Sequence, residues 1–118
     1  MQPEIPYTQY VIVPEKPKMS KGKVASQVAH ATYMALWKDG NKCLQDKWRK
    51  NGMCVIVLKC RDTAHLNDIA KYLEQWEIKH HLYIDEGLYG CEPFTPTALA
   101  TAVILPSKYW IFKNLDLY

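Results

Sequence analysis

The chain lacks any C-x-x-C pair, although it holds four cysteines, Cys43, Cys54, Cys60 and Cys91. Cys54 and Cys60 fall in or beside one expected strand, roughly 20 Å apart if extended, so they do not bridge each other and a disulfide scaffold is excluded. The start Met1-Gln2-Pro3-Glu4-Ile5-Pro6 is not signal-like, and no apolar run approaches the roughly 18 residues of a membrane span. A reducing, cytoplasmic setting without a membrane partner is therefore expected. There is no repeat or low-complexity segment, and no G-x-x-x-x-G-K-[ST] phosphate loop. A G-x-S-x-G elbow and a cysteine–histidine signature are also missing, so any hydrolysis is expected to use activated water rather than a covalent nucleophile. His65 and the pair His80-His81 have no ligand-like spacing, and adjacent strand residues face opposite ways, so no metal is expected.

What is present fits one domain over residues 1–118: 118 residues, 48% hydrophobic and 23% charged, are ordinary globular values and too little for two cores. The net charge of +3 hides an asymmetry. Residues 1–61 hold eleven Lys or Arg against four acids, and residues 62–118 hold four against eight. A basic half suits either a polyanion such as nucleic acid or a solvated lysine surface.

Tyr7–Val13 is β-prone, and Pro14-Glu15-Lys16-Pro17 is expected to stop it, because proline donates no amide hydrogen. Ser20 can cap an alanine-rich helix from Gly22 to about Trp37, with Val24, Val28, Ala31 and Ala35 at helical spacing. Asp39-Gly40-Asn41 breaks it. Lys42–Asn51 then reads as a polar helix with Cys43, Leu44 and Trp48 as its apolar contacts. Met53–Lys59 is a continuous apolar run expected to be a central strand, buried on both faces. Asp62 or Thr63 caps a third helix carrying Leu66, Ile69, Ala70 and Leu73, and Lys79–Asp85 returns as a strand, completing a βαβ unit. A loop marked by Gly87, Gly90, Pro93 and Pro96 leads to a last strand, Thr97–Leu105. The expected fold is a single compact three-layer α/β domain: a mixed four-stranded sheet with helices on both faces, in the order β-α-α-β-α-β-β.

Three lysines, Lys18, Lys21 and Lys23, crowd the expected N-terminus of the first helix, where like charge opposes the helix dipole by about 0.3–1 kcal/mol each. Folding does not favour that. Free amides, the small Gly22 and lysines together suit a phosphate or a developing oxyanion, a solvated lysine cluster being the other reading. Lys23, Gln27 and His30 fall at i, i+4 and i+7 on one helical face, either as a working polar stripe or as a flank with a hydrogen-bonded histidine. The loop from Asp85 to Thr97 sets acids and hydroxyls at a strand end, where α/β folds often hold ligands; a plain polar connection is the alternative. Trp37, Trp48, Tyr109 and Trp110 exceed what a small core needs, which leaves core packing, base stacking or a dimer seam for each.

The string Lys18-Met-Ser-Lys-Gly-Lys-Val-Ala-Ser-Gln-Val-Ala-His30 closely resembles the N-terminal motif K-M-G-K-G-K-x-A-A-Q-x-A-H of the type-2 peptidyl-tRNA hydrolases. Asp85-x-Gly87 and Glu92-Pro93-x-Thr95-x-Thr97 are similar to that family's D-A-G-x-T-x-x-x-P-G-x-x-T loop, and Leu115-x-Leu117 resembles its K-L ending. The resemblance implies hydrolysis of the ester joining a peptide to the 3′ end of tRNA, without a cofactor, on a domain that commonly pairs as a homodimer. It implies Lys23, Asp85 and Thr97 as catalytic residues, and Lys18, Lys21, Gly22, Gln27, His30, Gly87 and Tyr89 as substrate contacts. In those terms Lys23 steadies the tetrahedral oxyanion, Asp85 orients Lys23 or a water, and Thr97 holds that water. The chain departs from the motifs at Tyr89, where the family has threonine, at Glu86, where it has alanine, and at Pro14 and Lys16 in the first loop. Glu86 is expected to raise the pKa of Asp85. Pro106–Tyr118 is short for the family's last helix. A tRNA-binding or protein-interaction module on the same scaffold is the alternative that these departures imply.

Overall fold

A computed structural model describes residues 7–87 and 94–118. The elements are β1 (Thr8–Lys16), α1 (Lys21–Asp39), α2 (Lys42–Lys50), β2 (Cys54–Asp62), α3 (Thr63–Gln75), β3 (His80–Asp85), β4 (Thr95–Ile104), a 3-10 helix (Pro106–Phe112) and β5 (Asp116–Leu117). One mixed sheet runs in the order β3-β4-β1-β2-β5. It has five strands, not the expected four, because the last segment turns through the 3-10 helix and returns as β5 against Leu58 and Lys59 of β2. The expected element order is corrected accordingly.

Local sequence explains the helix ends. Ser20 accepts the Lys23 amide at the start of α1, Asn41 accepts the Leu44 amide for α2, and Asp62 accepts the His65 amide for α3. Gly40, at φ +64°, closes α1 by donating its N–H to the Leu36 carbonyl, a left-handed position that suits glycine. Alternation along β1 then builds two cores. Val11 and Val13 meet Ala31 and Ala35 of α1 together with Ala98 and Ala100 of β4; the small residues let helix and sheet approach closely. On the other face Tyr10 and Ile12 join Leu66 and Leu73 of α3, Leu99 and Phe112. Full burial of each larger aliphatic side chain contributes about 1.5–3 kcal/mol. Helices thus cover both faces of the sheet.

Three expectations are corrected here. β1 continues through Pro14, which pairs with Cys60. The Tyr10 amide points toward β4, so by alternation position 14 faces the same way. Pairing with β4 stops at Ile12↔Leu99, and the missing amide of Pro14 costs no ladder bond. β1, not β2, is the central strand; only Leu58 and Cys60 of β2 are fully buried, and Val55 is exposed. The expected βαβ unit is present, since β2 and β3 are parallel strands of one sheet joined through α3, with β1 and β4 lying between them; the adjacent parallel pair is β1 and β2, joined through α1 and α2. Cys43 is exposed rather than an apolar contact of α2, whose anchor is the buried Trp48, donating from Nε1 to the Cys54 carbonyl at 2.8 Å. Among the described residues no helix is long and apolar enough to cross a membrane.

Candidate active site

The N-terminal half of α1 crosses the sheet where β3 ends and β4 begins. Tyr83 lies on the α1 face, so by alternation Asp85 at the end of β3 points to the same side. Thr97 reaches that face by a different route. Tyr83 pairs with Ala98, but Ile84 pairs with Pro96, leaving Thr97 as the extra residue of a β-bulge. Strict alternation would send Thr97 with Leu99 into the opposite core; the bulge turns it toward α1 beside Ala98.

Four side chains converge there. Lys23 Nζ lies 3.1 Å from Asp85 Oδ2, with only 13% of the lysine side chain and 6% of the aspartate side chain exposed. Gln27, 3% exposed, donates from Nε2 to the same Asp85 oxygen at 3.2 Å. The Thr97 hydroxyl donates to Gln27 Oε1 at 2.5 Å. That donation fixes the amide with its nitrogen toward the carboxylate. The Gly87 amide donates to Asp85 Oδ1 at 2.6 Å, from a backbone at φ +88° that favours glycine, and the Phe94 amide donates to the Asp85 carbonyl, also at 2.6 Å.

Burial pushes the Asp85 carboxyl up, but the Gly87 amide, the Lys23 ammonium and the Gln27 amide outweigh it and hold its pKa below the ordinary value. The expected rise from Glu86 is corrected: Glu86 is exposed and Asp85 moves the other way. A carboxylate held this firmly as an anion is a poor proton acceptor and a good anchor for a cation. Lys23 is thereby anchored in the first turn of α1, an arrangement suited to steadying a developing oxyanion.

The other candidates lie around this centre. Lys18, Lys21 and Gly22 are exposed at the start of α1, and a Cβ added at Gly22 would meet nothing within 4 Å. Gly22 is therefore not required by the chain's own packing. His30 is exposed and outside the hydrogen-bonded set; its ring stacks on Tyr83, with centroids 4.8 Å apart and planes 14° apart. Gly87 is joined to the centre through its amide, and Tyr89 lies outside the described residues. Sequence reasoning missed two features: Gln27 as the hub that ties Thr97 to Asp85, and Tyr83 as the partner of His30. Pro96 was a usable signal, since proline within a sheet marks an edge or a bulge. Among the described residues no group of three His, Cys, Asp or Glu could hold a metal ion.

A small α/β domain with a buried lysine–carboxylate pair at its strand ends is the class that fold and site define. A solved protein of unknown function from Agrobacterium tumefaciens shares this fold, with a TM-score of 0.59 at 12% identity over 98% of this chain and 99% of its own. The family model described as "Peptidyl-tRNA hydrolase PTH2" matches residues 7–109, and the chain belongs to that family. Relatives named peptidyl-tRNA hydrolase include one from Nanoarchaeum equitans, 37% identical over 111 residues, or 92% of this chain and 96% of the relative. Another, from Methanopyrus kandleri, is 33% identical over 94 residues, covering 79% of this chain and 81% of the relative.

Proposed function

We propose that this chain hydrolyses the ester between a peptide, or an N-blocked aminoacyl group, and the 3′ end of tRNA, with Lys23, Asp85 and Thr97 as its working residues. The observation that carries the assignment is the 3.1 Å ion pair between two side chains that are almost wholly buried at the strand ends. Water attacks the ester carbonyl, the carbonyl electron pair moves onto oxygen, and the Lys23 ammonium stabilises that charge. Collapse of the intermediate expels the ribose oxygen, which leaves with the proton lost by water. Asp85 acts as the anchor that fixes Lys23. Thr97 acts through Gln27, its hydroxyl hydrogen being directed to that amide, and its lone pairs remain to accept from a water. The reading takes residues 1–118 as one domain, working in the cytoplasm on peptidyl-tRNA and pairing as a homodimer.

Release of labelled peptide from N-acetyl-aminoacyl-tRNA tests this directly. Lys23→Ala is expected to fold normally by circular dichroism and to lose about 10²–10³ in turnover, the usual cost of removing one oxyanion donor. Wild-type turnover in that variant would sink the assignment of Lys23. Binding of tRNA by wild type without any release would favour the binding-module alternative.

A further inference from the structure

We propose that the exposed face of α1 is a track for the unpaired 3′ nucleotides of the tRNA, with Tyr33 and Trp37 as base-stacking residues and the basic side chains of α2 as the phosphate grip. The proposal rests on the hydrolase reading above and adds the path its substrate takes.

At about 100° per residue, Gly22, Ser26, His30, Tyr33 and Trp37 form one file along α1, bordered by Lys23. All five are exposed, as are Ala25 and Ala29 beside them. The near end is thus small and lets a chain come close to the helix, and the far end is aromatic. Tyr33 is 65% exposed and Trp37 68% exposed. The other aromatic residues singled out in the sequence are held by the protein itself. Trp48 is buried, Tyr109 bonds Thr8 through its hydroxyl at 2.7 Å, and Trp110 meets Trp76 edge to face. His30, in the middle of the file, is backed by the Tyr83 ring stacked on it. From Lys23 to Trp37 the helix rises about 21 Å, enough for several nucleotides.

The ester sits at Lys23, so a group running along α1 is either the RNA or the peptide. Charge decides between them. Residues 18–50 carry eight Lys or Arg against two acids. Both acids are engaged, Asp39 with Lys79 at 3.4 Å and Asp46 with Arg49. Lys42, Lys47, Arg49 and Lys50 are exposed on α2, which follows directly on the aromatic end of the file. Phosphates complement that surface, whereas a peptide of arbitrary sequence does not. Aromatic faces serve any base, which suits a 3′ end shared by all tRNAs.

The test uses an RNA minihelix with a single-stranded 3′ overhang ending in C-C-A, and the same minihelix made blunt. Tyr33→Ala and Trp37→Ala are each expected to weaken overhang binding by about 5- to 100-fold. Each should raise KM with kcat unchanged, and Trp37→Phe should restore most of the affinity. The blunt minihelix should bind all variants alike, and Trp76→Ala, an exposed aromatic of the other face, should match wild type. Lys47→Ala should lower the salt slope of binding by about one. Overhang binding that survives in both alanine variants, while wild type still releases peptide, overturns the track and leaves the hydrolase reading intact. Loss of overhang binding in the variants, with wild type releasing no peptide, overturns the hydrolase reading and keeps an RNA track. A KM effect that follows peptide length instead of the overhang makes the face a peptide site, and dissociation of a dimer in Trp37→Ala makes it a contact between copies; either result overturns the proposal.

Discussion

Two lysine–aspartate pairs stand at opposite ends of α1. At its N-terminus Lys23 meets Asp85 at 3.1 Å, and at its C-terminus Asp39 meets Lys79 at 3.4 Å. Both run against the helix dipole, which disfavours a cation at the N-terminus and an anion at the C-terminus. The aspartates are equally buried. The cations are not: the Lys79 side chain is 73% exposed, so water shares its charge, whereas Lys23 is enclosed and its partner is held by two further donors. An open cleft of about 450 Å³ lies at the Asp39 end, lined by Lys38, Glu74 and Lys79 among others, yet the focused charge is at the other end. The difference teaches that a helix tolerates misplaced charge for two reasons: cheaply, by leaning on solvent, and at greater cost, by building a network around it.

Removing the acid from each pair's stronger end breaks the comparison most sharply. Asp85→Ala strands an enclosed ammonium and is expected to cost about 3–5 kcal/mol in urea unfolding, with turnover lost. The pH dependence of that loss sharpens it further. Because the folded-state pKa of Asp85 is depressed, its contribution is fully present above the ordinary carboxylate value of about 4 and disappears as pH falls through its lowered one. The stability gap between wild type and Asp85→Asn should therefore be constant from pH 7 to about 5 and shrink below about 4. Thr97→Val removes the donor to Gln27 Oε1 and is expected to cost about tenfold in turnover, one buried hydrogen bond's worth, with Thr97→Ser near wild type. Lys79→Ala should change stability by no more than about 1 kcal/mol, as exposed pairs do, and leave turnover alone. A Lys79→Ala cost equal to that of Asp85→Ala would show that the exposure of Lys79 gives its pair no relief, and would break the comparison.

The legible parts of the molecule were those set by short-range chemistry. Ser20 and Asp62 announced helix starts because a side-chain oxygen must satisfy a free amide, and both do so. Lys23 and Gln27 could be set on one helical face from their spacing alone, and Asp85 was placed at a strand end. What could not be read depended on partners distant in sequence. Whether Pro14 ends a strand depends on where β4 stops, and whether an apolar run is central depends on which strands flank it. Thr97 faces Gln27 only because of a bulge against β3, and Gln27 became a hub only when Asp85 and Thr97 arrived from residues far along the chain. His30, grouped with Lys23 and Gln27 by spacing, instead found Tyr83.

The two-residue β5 bears on how the protein is handled. Asp116 and Leu117 pair with Lys59 and Leu58, and the Tyr118 amide donates to the Val57 carbonyl at 2.9 Å, so the last three residues act as a selvage on an otherwise raw margin of the sheet. Without them, the backbone of β2 from Val57 to Lys59 would present bare amides and carbonyls to any extended chain nearby, beside the exposed Val55. Trimming those residues, or drawing them away with a bulky C-terminal fusion, converts a finished border into a template for self-association.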